Sequence, residues 1–344
     1  MEQRKTYIDL LRVVAIFFVV VLHIAAVNFN VVAINSYDWR VMNVFDSLCR
    51  WAVPCFVMLS GIFFLDNQKP LPFKKLYDKY VLRIVCAFVL FSLFYAIVNP
   101  LFWHTGQEKP FFQRLIAGYY HLWFLYMILG LYILAPILRA ITASKSITQY
   151  FLLLFVIVTL ILPTLKQTPL GDTLQYPLEK INLSLLGGFA GYWILGFWIE
   201  KYFIGSQTTK TIIHLIAIAA LVFTIWITNH LSVRQGRADS YWYEYLRVNV
   251  ALMACGVFVL FKDKIATIHF SQRAQKIIVF LSQNAFGVYL VHPFFLDCCR
   301  YNGLSPLSFN PALSIPVLSI AIFAISLFVS WLLRLIPVLR KYVL

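Results

Sequence analysis

Charge is scarce in this chain. Asp, Glu, Lys and Arg make up 12% of its 344 residues, against roughly 25% in soluble globular proteins. Hydrophobic residues make up 61%, and the mean hydropathy is +0.78. A soluble chain must wet its surface, and this composition leaves too little polar surface to do so. A soluble enzyme, a secreted disulfide scaffold and a disordered chain are thereby excluded. A polytopic membrane protein remains. Acidic residues are scarcer still: 14 against 29 Lys and Arg, for a net charge of +15. No basic tail or aromatic–basic stripe lies outside the apolar runs. The excess therefore points to cytoplasmic loops and not to nucleic acid. The six cysteines (Cys49, Cys55, Cys86, Cys255, Cys298 and Cys299) lack metal or disulfide spacing, and most read as small hydrophobes. Serine-nucleophile, Walker and dinucleotide glycine signatures are missing. The first apolar run is too long for a cleavable signal peptide and lacks a small-residue cleavage site.

Apolar runs are what the sequence has in abundance. A helical span needs about 20 mostly apolar residues. Ten runs qualify: 7–28, 41–65, 80–99, 120–139, 147–163, 184–203, 211–229, 242–261, 275–297 and 311–333. Their continuous apolar character predicts helices; barrel strands would alternate. The expected fold is an all-α polytopic membrane bundle of about ten transmembrane helices. With the N-terminus placed in the cytoplasm, 18 basic residues fall on the inner side and 8 on the outer, with Arg12, Arg50 and Arg247 inside spans. That asymmetry predicts both termini inside. Loops are short, so residues 1–344 read as a single membrane-embedded domain in which any chemistry happens within the bilayer.

Charges inside a bilayer cost about 2.5–3.5 kcal/mol on insertion scales and so invite functional readings. Arg12 and His23 lie eleven residues apart in the first run. At about 100° per residue they share one helix face, about 16 Å apart along the axis. Asp9 lies one turn before Arg12 and can pair with it. Two readings stand side by side: a functional pair, or a snorkelling arginine and a histidine bonded to a neighbouring helix. Asp46 and Arg50 in the second run can neutralise each other at i,i+4, or Arg50 can bind an anionic or carbonyl group. Lys79 and Arg83 open the third run on the cytoplasmic side, as topological signal or as a phosphate clamp. His121, beside Trp123, and His292, before Pro293, sit near the depth of His23 in the outer half. Three histidines raise the question of zinc, but no HExxH or suitably spaced carboxylate accompanies them, and no metal is expected. A neutral imidazole acting as general base fits better. The glycines at 187, 188 and 191 read as helix-packing positions.

These residues resemble the Acyltransferase 3 family of bacterial inner-membrane proteins. Arg12-x10-His23 is similar to its R/K-x10-H signature. Pro54 to Gly61 resembles its second-span segment, and Lys79 to Arg83 its basic third-span start. His121-Leu-Trp123-Phe-Leu, Gly191 to Gly196 and Tyr289-Leu-Val-His292-Pro293 follow in the family's order. Where the family often has two arginines three apart, Tyr80 occupies the first position and only Arg83 remains. Length and the lack of an extra domain resemble the stand-alone branch, of the kind that O-acetylates enterobacterial common antigen.

The resemblance implies a multi-pass protein of the bacterial inner membrane. It would move an acyl group, most often acetyl, from cytosolic acetyl-CoA to a hydroxyl of a cell-envelope glycan or lipid-linked saccharide. On that reading Arg12, Arg83 and Lys79 contact CoA. His23 serves as general base or acyl-accepting residue, with Arg12 as its catalytic companion. Arg50, Asp46, His121, Trp123 and His292 become candidates for acceptor binding or oxyanion stabilisation. The rival reading is a transporter, flippase or export subunit for a lipid-linked polysaccharide, with the same charges lining a path. The sequence gives no sign of oligomeric state.

Overall fold

The computed structural model describes residues 5–103, 109–165 and 188–344. Among them the ordered structure is helical, with no strand. Ten helices matter for the site: α1 (Thr6–Ala26), α2 (Tyr37–Cys49), α3 (Ala52–Phe64), α4 (Leu82–Val98), α5 (Trp123–Thr142), α6 (Lys145–Leu154), α7 (Phe189–Tyr202), α8 (Gln207–Gln235), α9 (Val248–Asp263) and α10 (Gln272–Tyr301). An eleventh, α11, spans Pro311–Leu335. Nine stretches of the described residues are long and apolar enough to cross a membrane, and each coincides with one of the ten expected runs. The remaining run, 184–203, begins outside the described residues. Its described part is α7, 14 residues long. The chain is a multi-pass helical membrane bundle.

The burial pattern follows from lipid as solvent. On α8 the buried residues are Ala220, Thr224, Thr228 and Ser232, an i,i+4 stripe of small side chains, while Val222 and Trp226 face outward. In water that pattern would be inverted. In a bilayer the apolar face is the solvated one, and small or polar residues let helices meet. Asn249 on α9 donates to Thr224 Oγ1 and to the Trp242 carbonyl, each at 2.8 Å. Asn43 on α2 donates to the Ile225 carbonyl at 2.9 Å. Unmet polar groups are costly at this depth, and these amide N–H donors are met.

Glycine brings α3 and α7 into backbone contact. A Cβ on Gly61 of α3 would lie 1.9 Å from the Trp193 carbonyl oxygen of α7. One on Gly196 of α7 would lie 2.1 Å from the Met58 carbonyl oxygen of α3. The two glycines answer each other across one contact and let the backbones touch. Gly191 makes room in the same way for the Phe155 ring.

Proline fixes the breaks. The second expected run divides at Arg50 and Trp51 into α2 and α3. Pro54 has no N–H to offer the carbonyl of residue 50, and the helix yields there. Arg50 thus caps α2. A π-helical stretch at Leu76–Val81 precedes α4 and carries Lys79 and Tyr80.

α1 is the central element, packed against α2, α3, α10 and α11. It runs parallel to α10: Asp9 meets Ser282 near their starts, and His23 meets His292 further along. The first described turn of α1 and the C-terminal Leu344 lie at one end of the bundle, with Arg83, Ser282 and Arg334. At that end Lys5 and Tyr7 both bond Glu200.

Candidate active site

The site begins with a fixed arginine. Arg12 Nη1 donates to Ser282 Oγ at 2.9 Å and lies 3.4 Å from Asp9 Oδ1. Ser282 Oγ donates to the same Asp9 oxygen at 2.6 Å. Asp9 is buried, so one carboxylate anchors both neighbours in a low-dielectric setting where charge-assisted bonds are strong. Arg12 borders two cavities. One, of about 610 Å³, opens at the end bearing Lys5, Lys69 and Lys201. The other, of about 470 Å³, is lined at one end by Arg12, Arg83 and Arg334 and at the other by His23, His121 and Trp123. Arg12 therefore stands between a charged mouth, where Asp66 and Glu200 accompany the lysines, and an interior passage that reaches His23.

His23 lies at the far end of α1, and its protonation pattern follows from its neighbours. His292 Nδ1 faces two carbonyl oxygens, Val288 at 3.1 Å and Tyr289 at 2.9 Å. Carbonyls only accept, so this nitrogen carries the proton. In neutral His292 the other nitrogen, Nε2, then holds a lone pair. His23 Nδ1 lies 2.7 Å from it and must be the donor. His23 Nε2 is left with a free lone pair. The two rings are nearly coplanar, 14° apart, as a hydrogen bond in the ring planes requires. The Tyr120 ring meets His23 edge-on at 5.3 Å.

Pro293 explains why a histidine precedes it. A residue with an N–H at 293 would bond the Tyr289 carbonyl, but proline has none. The His292 side chain takes that carbonyl instead. The same bond that satisfies the orphaned oxygen sets the tautomer of His292 and, through it, that of His23.

The remaining sequence candidates separate into groups. His121 lines the His23 cavity, its ring 5.8 Å from that of His292. Its carbonyl accepts from Tyr289 Oη at 2.5 Å. Arg83 lines the cavity and donates to the Arg340 carbonyl at 2.9 Å. Lys79 is not among the lining residues; its Nζ lies 5.6 Å from the Tyr80 ring, and Tyr80 does line the cavity. Asp46 is buried and ion-paired with Arg50. The Arg50 guanidinium lies 4.2 Å from the Tyr243 ring centroid. Arg50 lines not the His23 passage but a third cavity, of about 410 Å³, with Trp123, Tyr243 and Tyr245. Trp123 and Tyr245 border both, their rings stacked at 5.6 Å and 20°.

Sequence reasoning missed Ser282, Gln283, Tyr132, Tyr245 and Leu344 as lining groups. It counted Arg334 only as topological charge. No local pattern marks a lone serine or tyrosine in an apolar helix. Among the described residues, no group of three His, Cys, Asp or Glu side chains is placed to hold a metal ion.

Comparison with known proteins gives this geometry a family. The chain is 23% identical over 251 residues to a "Probable poly-beta-1,6-N-acetyl-D-glucosamine export protein" of Staphylococcus aureus strain MRSA252, covering 72% of this chain and 69% of the relative. The protein of the same name from strain Mu50 is 24% identical over 261 residues, with the same coverage. No solved structure matches. A family model described as "Acyltransferase domain" matches residues 5–335. The chain belongs to the Acyltransferase 3 family.

Proposed function

We propose that the chain is an acyl-CoA-dependent O-acyltransferase of the bacterial inner membrane, acting on a hydroxyl of a cell-envelope glycan or lipid-linked saccharide. One observation carries the reading: a single cavity joins Arg12, Arg83 and Arg334 to His23, whose Nε2 lone pair is left free by His292. The charge asymmetry supports a cytosolic placement of the Lys5 end. Lys5, Lys69 and Lys201 then draw the CoA phosphates to the mouth, and Arg12 holds them through charge-assisted bonds. The pantetheine arm lies along the passage and brings the thioester, acetyl in the simplest case, to His23.

There the acceptor oxygen attacks the thioester carbon while His23 Nε2 takes its proton. The carbon–sulfur bond breaks, and the proton passes to the departing CoA thiolate. Protonated His23 keeps its Nδ1–H bond to His292, which stabilises the imidazolium as it forms. His121, lining the same cavity, is a candidate donor to the oxyanion.

Purified protein in nanodiscs tests this by free thiol release from acetyl-CoA, with and without a membrane glycan extract. Release that needs both the extract and His23 supports the reading; folded protein that neither binds nor cleaves acetyl-CoA overturns it. A second reading has its own support in the names of the Staphylococcus aureus relatives: export of a polysaccharide. On that reading glycan crosses the membrane without thioester cleavage, and His23→Ala leaves acetyl-CoA consumption unchanged at zero.

A further inference from the structure

The third cavity has no place in the donor's path, yet it shares a wall with it. Arg50, Phe189, Ser240, Tyr243, Glu244 and the stacked pair Trp123–Tyr245 surround it. Its character is aromatic and electrically balanced. The Trp123 ring stacks on Tyr245 at 5.6 Å and lies tilted against Phe189 at 5.7 Å, giving a cluster of three rings. The two charges that line it are each held by a partner outside the lining: Arg50 by Asp46, and Glu244 by Arg247. Arg50 Nε is buried and makes no hydrogen bond. The guanidinium thus lines the cavity with its net charge already compensated. An anion arriving here would meet no uncompensated positive charge and would lie beside the Glu244 carboxylate. A sugar ring presents C–H groups on its faces and hydroxyls at its edge. The rings suit the faces, and the polar lining residues Arg50, Ser240 and Glu244 suit the edge.

We infer that this cavity is the acceptor subsite and that it takes an uncharged saccharide, with the Trp123–Tyr245 stack as the wall it shares with the donor's passage. The inference rests on the acyltransferase reading for the word acceptor, but not for the binding. For the transfer step the acceptor hydroxyl must pass the edge of these shared rings into the cavity that His23 lines.

Saturation-transfer NMR on the full chain in nanodiscs, without acyl donor, tests this. The probes are an N-acetylglucosamine tetramer and a tetragalacturonate of equal length. The neutral tetramer is expected to bind and the uronate not. Trp123→Ala should weaken the tetramer about tenfold, as loss of one stacking platform does. Trp226→Ala, on the lipid-facing side of α8, serves as the folding control and should change nothing. Glu244→Gln removes the acidic group and leaves Arg247 uncompensated, and should let the uronate bind. Equal binding of both probes, binding of neither, or a Trp123→Ala variant that binds as the parent does would each overturn the inference. Thiol release from acetyl-CoA is measured separately. If release is His23-dependent but no saccharide binds at this cavity, the subsite fails and the acyltransferase reading stands. If the tetramer binds through Trp123 but no thiol is released, the subsite stands as a saccharide site and the acyltransferase reading fails.

Discussion

His292 lines none of the three cavities, yet it should control the rate. In His292→Ala the His23 Nδ1–H loses the acceptor at 2.7 Å, and the Tyr289 carbonyl next to Pro293 loses its donor. A buried N–H without a partner costs about 1–3 kcal/mol. His23 escapes that cost by turning its ring or moving its proton to the other nitrogen, and either change removes the free Nε2. The rate should then lose what a positioned general base supplies, about 10²–10³-fold, or ~2.7–4 kcal/mol of barrier. Donor binding should be unchanged, because the Arg12–Asp9–Ser282 group lies at the other end of the passage. His292→Gln offers His23 an amide oxygen and should recover part of the loss. The assay is steady-state thiol release, with kcat and the donor KM read separately and thermal unfolding as the check on folding. A His292→Ala variant that turns over like the parent, or that loses donor binding with kcat intact, would refute the reasoning.

Three further outcomes are expected. Ser282→Ala frees Arg12 from one of its anchors and should raise the donor KM about three- to tenfold with little change in kcat, by the same steady-state assay. Gly61→Ala drives a methyl group into the Trp193 carbonyl, a backbone atom that cannot swing away, and should cost at least ~2 kcal/mol or prevent folding, seen as a lowered unfolding temperature in detergent. Asp46→Asn leaves the buried Arg50 charge without its counterion and should destabilise by about 3–5 kcal/mol, whereas the double change Asp46→Asn with Arg50→Gln should recover much of that, by the same measurement.

How much of this could be read beforehand differs between fold and site. Apolar run length is a property of consecutive residues, so nine of the expected spans coincide with described helices. The i,i+3 and i,i+4 pairs Asp9–Arg12 and Asp46–Arg50 form because a helix dictates them. The eleven-residue step from Arg12 to His23 put both on one face of α1, and both line one cavity. What the sequence hid are contacts between elements far apart in the chain. Ser282 meets Asp9 across 273 positions, and His292 meets His23 across 269. No periodicity encodes such partners. The split of the second span was foreshadowed by Pro54, and the side-chain capture of the Tyr289 carbonyl by the His292-Pro293 pair. Arg50 is separated from the His23 cavity by tertiary packing alone.

The most direct test of the central claim follows the acyl group itself. Proteoliposomes carrying the chain and a membrane glycan extract are given acetyl-labelled acetyl-CoA, and the label in the glycan is counted for the parent, His23→Ala and Arg12→Ala. The expected result is label in the glycan with the parent, a background count with His23→Ala, and label that recovers with Arg12→Ala only at raised donor concentration. Label that reaches the glycan equally in all three, or in none while glycan still crosses the membrane, would contradict the account.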